Sequence, residues 1–291
     1  MTTPHTGPPA AGAPDVWTDL RLTTRARIGL GRAGNSLPTS RVLEFTAAHA
    51  AARDAVHDPL DADRFAASLT GLGLGEPLLV ASKARSRGEY LRRPDLGRQP
   101  ADGTELPSAA ADVGVVLADG LSPRALADHG HALVAALLET FGGRYTIAPP
   151  VIATQARVAL GDHIGSALGV TTLIMIIGER PGLSVADSLG IYLTHRPRVG
   201  RTDADRNCVS NIHPPDGLGY AAAAAVTAAL LAGARTLGRS GVDLKDTSRR
   251  EPDPELVMNS DAIESPSPTD RPPADRPGRT QTAVTHPHQQ S

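Results

Sequence analysis

Residues 171–182 read TTLIMIIGERPG. An almost wholly apolar run ends in a glycine, an acid, a base, a proline and a second glycine. A short continuous apolar run without alternation fits a strand buried on both faces, as a parallel sheet between two helical layers provides. A surface turn after such a strand needs only Gly, Pro or Asn. The Glu179–Arg180 pair is therefore surplus to the turn. The two side chains either pair with each other, which is worth little if exposed, or hydrogen-bond a ligand rich in amides and hydroxyls. Their place after a buried strand favours the ligand.

Working outward, other segments repeat this strand-then-helix pattern. PLLVAS (77–82) is a short strand, and VGVVLADGLS (113–122) is a strand ending in Asp-Gly, with a helix over about 123–140. YTIAPPVIAT (145–154) is extended, since Pro149 and Pro150 bar a helix, and a short helix covers 161–168. IYLTHRP (191–197) reads as a further strand. AAAAAVTAALLAGARTLGRSG (221–241) is a long Ala-rich helix, expected to stop at Gly241. The alternation predicts an α/β fold: a Rossmann-like parallel sheet flanked by helices, spanning 76–246. In such sheets ligands bind beyond the carboxyl ends of the strands. ADGLS (118–122) and GERPG (178–182) fall there, and NCVSNIH (207–213) joins them.

Ahead of the sheet, residues 16–75 form a small helical section. In LPTSRVLEFTAAHAAARDAV, Ser36 or Thr39 is placed to cap and Pro38 suits a first turn. Val42, Phe45, His49, Ala52 and Val56 recur at helical spacing as one face. Residues 1–15 and 247–291 are rich in Pro and small or polar residues. Such composition buries too little apolar surface to offset ordering entropy, so both ends are expected to be disordered.

The totals exclude several classes. With 291 residues, 40% of them hydrophobic, a sizeable core is available; at 3% aromatic it must be built from Ala, Leu, Val and Ile. A net charge of −2 gives no footprint for nucleic acid. Cys208 is the single cysteine, which rules out an internal disulfide and fits the reducing cytoplasm. The N-terminus lacks the basic-then-apolar order of a secretory signal, and no wholly apolar run of about 18 residues predicts a membrane span.

Gly29, Gly31 and Gly34 match GxGxxG in spacing, but no strand precedes them and no acid sits at a ribose position, so the dinucleotide reading is weak. GxxxxGK[ST] and GxSxG are absent. Cys208 with His213 suggests a thiol nucleophile; a small unreactive thiol is the favoured reading. Asp128, His129 and His131 lack metal spacing and read as capping or solvated residues.

Seven segments in order resemble one family: TRARIGLGRAG (24–34), HAAARDAV (49–56), YLRRPDLGR (90–98), ADGLS (118–122), RVALGDHIG (157–165), GERPGL (178–183) and DRNCVSNIH (205–213). Over about 19–246 the chain resembles the small subunit of adenosylcobalamin-dependent ethanolamine ammonia-lyase. The resemblance implies a heteromeric enzyme in which a large TIM-barrel chain holds ethanolamine and the cofactor lies between the two chains. It implies a radical deamination to acetaldehyde and ammonia, in which the difficult chemistry belongs to the cofactor. No catalytic residue is then expected on this chain. Val158, Glu179 and Cys208 are similar to the family's cofactor contacts. The DxHxxG motif of base-off cobalamin proteins is absent, Asp162-His163 being a near miss, so the cofactor is expected base-on with no metal ligand from this chain. Some relatives enter a bacterial microcompartment by an amphipathic N-terminal peptide; this Pro- and Gly-rich N-terminus shows none, and 247–291 extends beyond the family pattern. The alternative is a free-standing Rossmann-like nucleotide-binding or adaptor protein.

Overall fold

The computed structural model describes residues 16–246, so the expected disorder of 1–15 and 247–291 lies outside the described residues. Six strands form one sheet: β1 (Leu78–Ala81), β2 (Val113–Ala118), β3 (Val151–Thr154), β4 (Thr172–Gly178), β5 (Leu189–His195) and β6 (Asn207–Ile212). Their order is β1-β3-β2-β4-β5-β6. The first four are parallel. β5 runs antiparallel to β4, and β6 antiparallel to β5. Only residues 179–188 separate β4 from β5, too few for a crossover helix, so the chain returns beside itself. The α/β architecture matches the expectation, with an antiparallel pair added at one edge.

The helices are α1 (Val16–Thr23), α2 (Thr39–His57), α3 (Ala62–Leu69), α4 (Arg87–Arg92), α5 (Pro123–Phe141), α6 (Leu160–Leu168) and α7 (Tyr220–Leu237). One face of the sheet buries Ile174, Ile176, Ile191 and Leu193 against Phe65 of α3, Leu133 and Leu137 of α5 and Leu230 of α7. The other buries Val116, Leu173 and Met175 against Leu160, Ile164 and Leu168 of α6. β2 and β4 are buried along their whole length, as their unalternating sequences require. α7 is long and apolar enough to span a membrane by composition, but its Ala223, Ala224, Thr227, Leu230, Leu231 and Ala234 are buried, and it packs on α5, β5 and β6.

Three local expectations are revised. α7 ends at Leu237 with Gly238 at φ 72°, three residues before Gly241. Gly241 serves a close backbone approach instead, since a Cβ there would stand 2.1 Å from the Ala204 carbonyl oxygen. Pro38 itself is the N-cap of α2, and no side chain caps that helix. The predicted face of α2 is largely open: Val42 and Phe45 are 44% and 45% exposed, and only Ala55 of this helix is buried. Its periodicity therefore reports a helix face that the described residues leave open.

The loops after β2 and β4 interlock. Leu121 N–H donates to the Gly178 carbonyl at 2.9 Å, and Ser122 Oγ donates to the Ala186 carbonyl at 2.8 Å. Ser122 also caps α5, with Pro123 in the first turn. The fit leaves no room for a side chain: a Cβ on Gly178 would lie 2.1 Å from the Ser122 carbonyl oxygen. Gly178→Ala should therefore destabilise by about 1–3 kcal/mol through overpacking. In a domain of this size that lowers Tm by roughly 2–12 °C, and an unchanged thermal melt would contradict the interlock.

Candidate functional site

Glu179 follows Gly178 at the carboxyl end of β4 and continues the side-chain alternation of Met175 and Ile177, towards the α6 face. Its Oε2 accepts from Ser188 Oγ at 2.8 Å and from the Asn211 N–H at 3.2 Å. Asn211 sits at φ 62° where the β5–β6 register slips, so the bulge turns its N–H out of the ladder and onto Glu179. Opposite, Gly190 leaves room for the carboxylate: a Cβ there would meet Oε1 at 3.0 Å. Oε2 is thus anchored, and Oε1 has no hydrogen bond among the described residues. Arg180 is exposed and does not pair with Glu179, so the first of the two readings of this dipeptide is set aside.

Cys208 lies one strand further out. Met175 of β4, Tyr192 of β5 and Cys208 of β6 are register partners on one row. α6 packs over β2 and β4, while this side of β5–β6 stays open: Cys208 is exposed and Tyr192 half-buried. Burial of the thiol's surroundings pushes its pKa up, a hydrogen bond with Tyr192 opposes the shift, and the Glu179 charge reinforces it. Tyr192 is pushed up to about 12, first by burial and then by Cys208. Both groups therefore stay protonated near neutrality. His213, the imagined partner, hydrogen-bonds Asn211 Oδ1 at 2.9 Å instead. The favoured reading of Cys208 as an unreactive thiol stands on this chemistry.

Val158 sits in the turn that starts α6 and lines a cavity shared with Tyr192. The structure thus gathers Val158, Glu179 and Cys208, far apart in sequence, around one open sheet face. Tyr192 and Gly190 belong to the same face and escaped the sequence reading. The alternation in LGIYLTH, which places both on the side opposite Leu189, Ile191 and Leu193, was the signal available.

A buried ion pair fixes α6 against the root of β6. Arg206 Nη1 donates to Asp162 Oδ1 at 2.6 Å and Nη2 to Oδ2 at 2.8 Å, with side chains 3% and 2% exposed. Arg206 also donates to Thr194 Oγ1 and to the Arg201 carbonyl. Burial works to lower the Arg206 pKa, but the Asp162 hydrogen bonds and charge carry it upward overall. Asp162, the near-miss residue, is thereby structural.

The crevice between the carboxyl ends of β2 and β3, where the chain leaves neighbouring strands in opposite directions, is closed. Asp119 accepts from the Gln155 and Ala156 N–H groups at 2.7 and 3.0 Å and stands 3.5 Å from Arg87 Nη1. Burial raises the Asp119 pKa, against the pull of those N–H groups and of Arg87. Arg87 is committed further, to the Val56 and Gly120 carbonyls. The ADGLS segment is therefore a brace within the fold.

The glycine triad Gly29, Gly31 and Gly34 follows helix α1, with no strand before it among the described residues, and all three have positive φ. It belongs to an arm that latches onto the loop after β4. Arg27 donates to the Leu183 carbonyl at 3.0 Å, Ser184 Oγ donates to the Arg25 carbonyl at 3.3 Å, and Arg25 pairs with Asp216. His129 contacts Tyr220 Oη at 2.7 Å and lies 3.7 Å from Asp187 on the same loop. Among the described residues no group of three His, Cys, Asp or Glu is placed to hold a metal ion.

The raised thiol pKa has a direct consequence. Disulfide exchange of Cys208 with an aromatic disulfide reagent should be slower at pH 7–8 than that of a free cysteine peptide. It should accelerate only above the ordinary thiol range near ~8.5. A fast reaction at pH 7 would reverse the assignment and restore the nucleophile.

The family model for the ethanolamine ammonia-lyase light chain (EutC) matches residues 14–245. A relative from Rhodococcus erythropolis, named ethanolamine ammonia-lyase small subunit, is 68% identical over 237 residues, covering 81% of this chain and 92% of its own. Relatives of the same name from Ralstonia nicotianae and Azotobacter vinelandii are 47% and 48% identical, covering 85% and 79% of this chain and 94% and 88% of theirs. The matched region takes in the open β5–β6 face, the start of α6 and the loop after β4, and the chain belongs to the ethanolamine ammonia-lyase light-chain family, as a small subunit of that lyase.

Proposed function

We propose that this chain binds adenosylcobalamin on the open face of β5–β6, with Val158, Glu179 and Cys208 as contacts, and presents it to a large subunit that holds ethanolamine. The observation that carries the reading is the half-satisfied Glu179 carboxylate. One oxygen is fixed by Ser188 and Asn211, and the other is offered to the open face over a glycine. A corrin rim of carboxamides supplies the N–H donors that such an oxygen accepts. Around it lie a protonated thiol, a protonated phenol and an aliphatic side chain, which suit a flat, largely apolar ring. When bound, the cofactor supplies the radical chemistry of deamination. This chain's residues orient it: Glu179 fixes a side-chain amide, Val158 and Cys208 pack beside the ring, and the arm holds the Glu179 loop in place. With no histidine of a DxHxxG motif to offer, the chain would supply no ligand to the metal and would leave the cofactor base-on. The free thiol suits the reducing cytoplasm.

The large chain is the natural cover for the apolar surface left open beside this loop. Leu22, Leu37, Val42, Leu43 and Phe45 are all more than 40% exposed, and Leu183 of the loop itself is 38% exposed. Arg27 ties the two together, donating to Leu183 and lying 6.0 Å over the Phe45 ring. Neighbouring exposed apolar side chains of this kind mark an interaction surface.

Two outcomes test the reading. Ammonia release from ethanolamine with adenosylcobalamin should require both chains; deamination by the small chain alone would refute it. In the two-chain complex, Glu179→Gln should weaken adenosylcobalamin by about 1.5–3 kcal/mol, ten- to a hundredfold in Kd by absorbance titration. Undiminished affinity would remove the loop from the site.

A further inference from the structure

Beside Val158 and Tyr192 opens a cavity of about 390 Å³ whose wall carries four arginines, Arg98, Arg157, Arg201 and Arg206, against one carboxylate, Asp203. In a chain of net charge −2 this is a local concentration of positive charge. Two of the four are neutralised from outside the cavity: Arg206 by Asp162, and Arg201 by Asp205 at 3.4 Å. Arg157 has no carboxylate partner among the described residues; its guanidinium lies 4.4 Å over the Tyr90 ring. Arg98 is exposed and makes no ion pair among the described residues. Asp203 points to solvent, 98% exposed, 3.8 Å from Arg206 Nε. The Nε–H groups of Arg157, Arg201 and Arg206 are all buried without a hydrogen-bond acceptor among the described residues, so three of the cavity's four guanidiniums each keep one donor unpartnered. The uncapped N-terminus of α6 adds its partial positive charge at Val158 and Ala159.

We propose that this cavity is a phosphate subsite, and that its ligand is the phosphodiester of the cofactor's nucleotide tail. The proposal rests on the reading that the corrinoid lies on the β5–β6 face. Planar guanidinium forks match phosphate oxygens in geometry as well as charge. The cavity shares Val158 and Tyr192 with that face, so a ligand lying there reaches it without crossing the sheet. Arg98 and Arg157, whose charges are not neutralised, supply the attraction; Arg201 and Arg206 shape the wall.

The test is equilibrium binding to the two-chain complex by absorbance titration, comparing adenosylcobinamide, which lacks the phosphate, with adenosylcobinamide phosphate. The wild-type complex should prefer the phosphorylated form at least tenfold. Arg98→Gln combined with Arg157→Gln should abolish that preference, and the exposed Arg98→Gln alone, whose fold is not at risk, should reduce it severalfold. Glu179→Gln should weaken both ligands equally. A wild-type complex that does not prefer the phosphorylated form, or a double variant that keeps the preference, overturns the subsite. If Glu179→Gln also leaves both affinities unchanged, the reading of the face itself fails. Inorganic phosphate, titrated by calorimetry, separates the remaining source. Its tight binding without any preference between the two corrinoids assigns the cavity to a free anion and overturns the corrinoid proposal.

Discussion

The arrangement of the site depends on the buried pair between Asp162 and Arg206. One residue belongs to the first turn of α6 and the other immediately precedes β6. The pair therefore sets how Val158, just ahead of α6, stands relative to Cys208, the second residue of β6. Such a pair is a weak source of net stability, because desolvating two charges offsets most of their attraction; removing one partner alone costs about 3–5 kcal/mol. Its benefit is positional. The bidentate geometry, with Thr194 Oγ1 and the Arg201 carbonyl as further acceptors, allows one placement of the α6 start over the edge of the sheet.

A second constraint explains why the candidate site is on an open face and not in the usual crevice. In doubly wound sheets the ligand sits where neighbouring connections part, which here is the gap between β2 and β3. Asp119 fills that gap with its own carboxylate, taking both N–H groups that a ligand anion would need, and Arg87 and Tyr90 back it. Glu179, Tyr192 and Cys208 stand instead towards β5 and β6, where the antiparallel return leaves one side of the sheet without a packed helix. The same return brings the carboxyl end of β6 level with that of β4, so that the Asn211 bulge reaches Glu179.

Much of this was legible in the sequence, for reasons particular to each element. TTLIMII and VGVVLA announce buried central strands because no polar residue interrupts them. The Glu-Arg pair after β4 singled out a loop whose Glu179 is held by Ser188 and Asn211, because an acid at the mouth of a buried strand has to be satisfied by something. The direction of β5 was hidden: an apolar strand reads the same in either sense, and only the shortness of 179–188 argued for return. The cap of α2 was missed because Pro38 is as acceptable at the N-cap as inside the first turn. ADGLS fell at the edge where ligands bind, since a carboxylate at a strand end has the same sequence signature whether it meets a ligand or two backbone N–H groups. The arginines of the cavity come from 98, 157, 201 and 206, and nothing local in the sequence joins them.

On the proposed function, the β5–β6 face is one wall of a site. Ligand pockets bury ~70–90% of a ligand's surface, and a sheet face with one free carboxylate oxygen, a thiol and a phenol leaves the far side of a flat ring in water. A lone wall gains little from such contacts, because exposed hydrogen bonds exchange with water at almost no net gain. Closing the second wall changes the balance: water leaves, the Glu179 oxygen must be satisfied by the ligand, and each contact strengthens in the lower dielectric. The open apolar side chains of α2 and of the 183 loop lie beside the Glu179 loop, so one docking event covers both. On the proposed function, cofactor affinity would be a property of the two-chain assembly, and the arm that clamps the 178–188 loop would couple subunit docking to the position of Glu179.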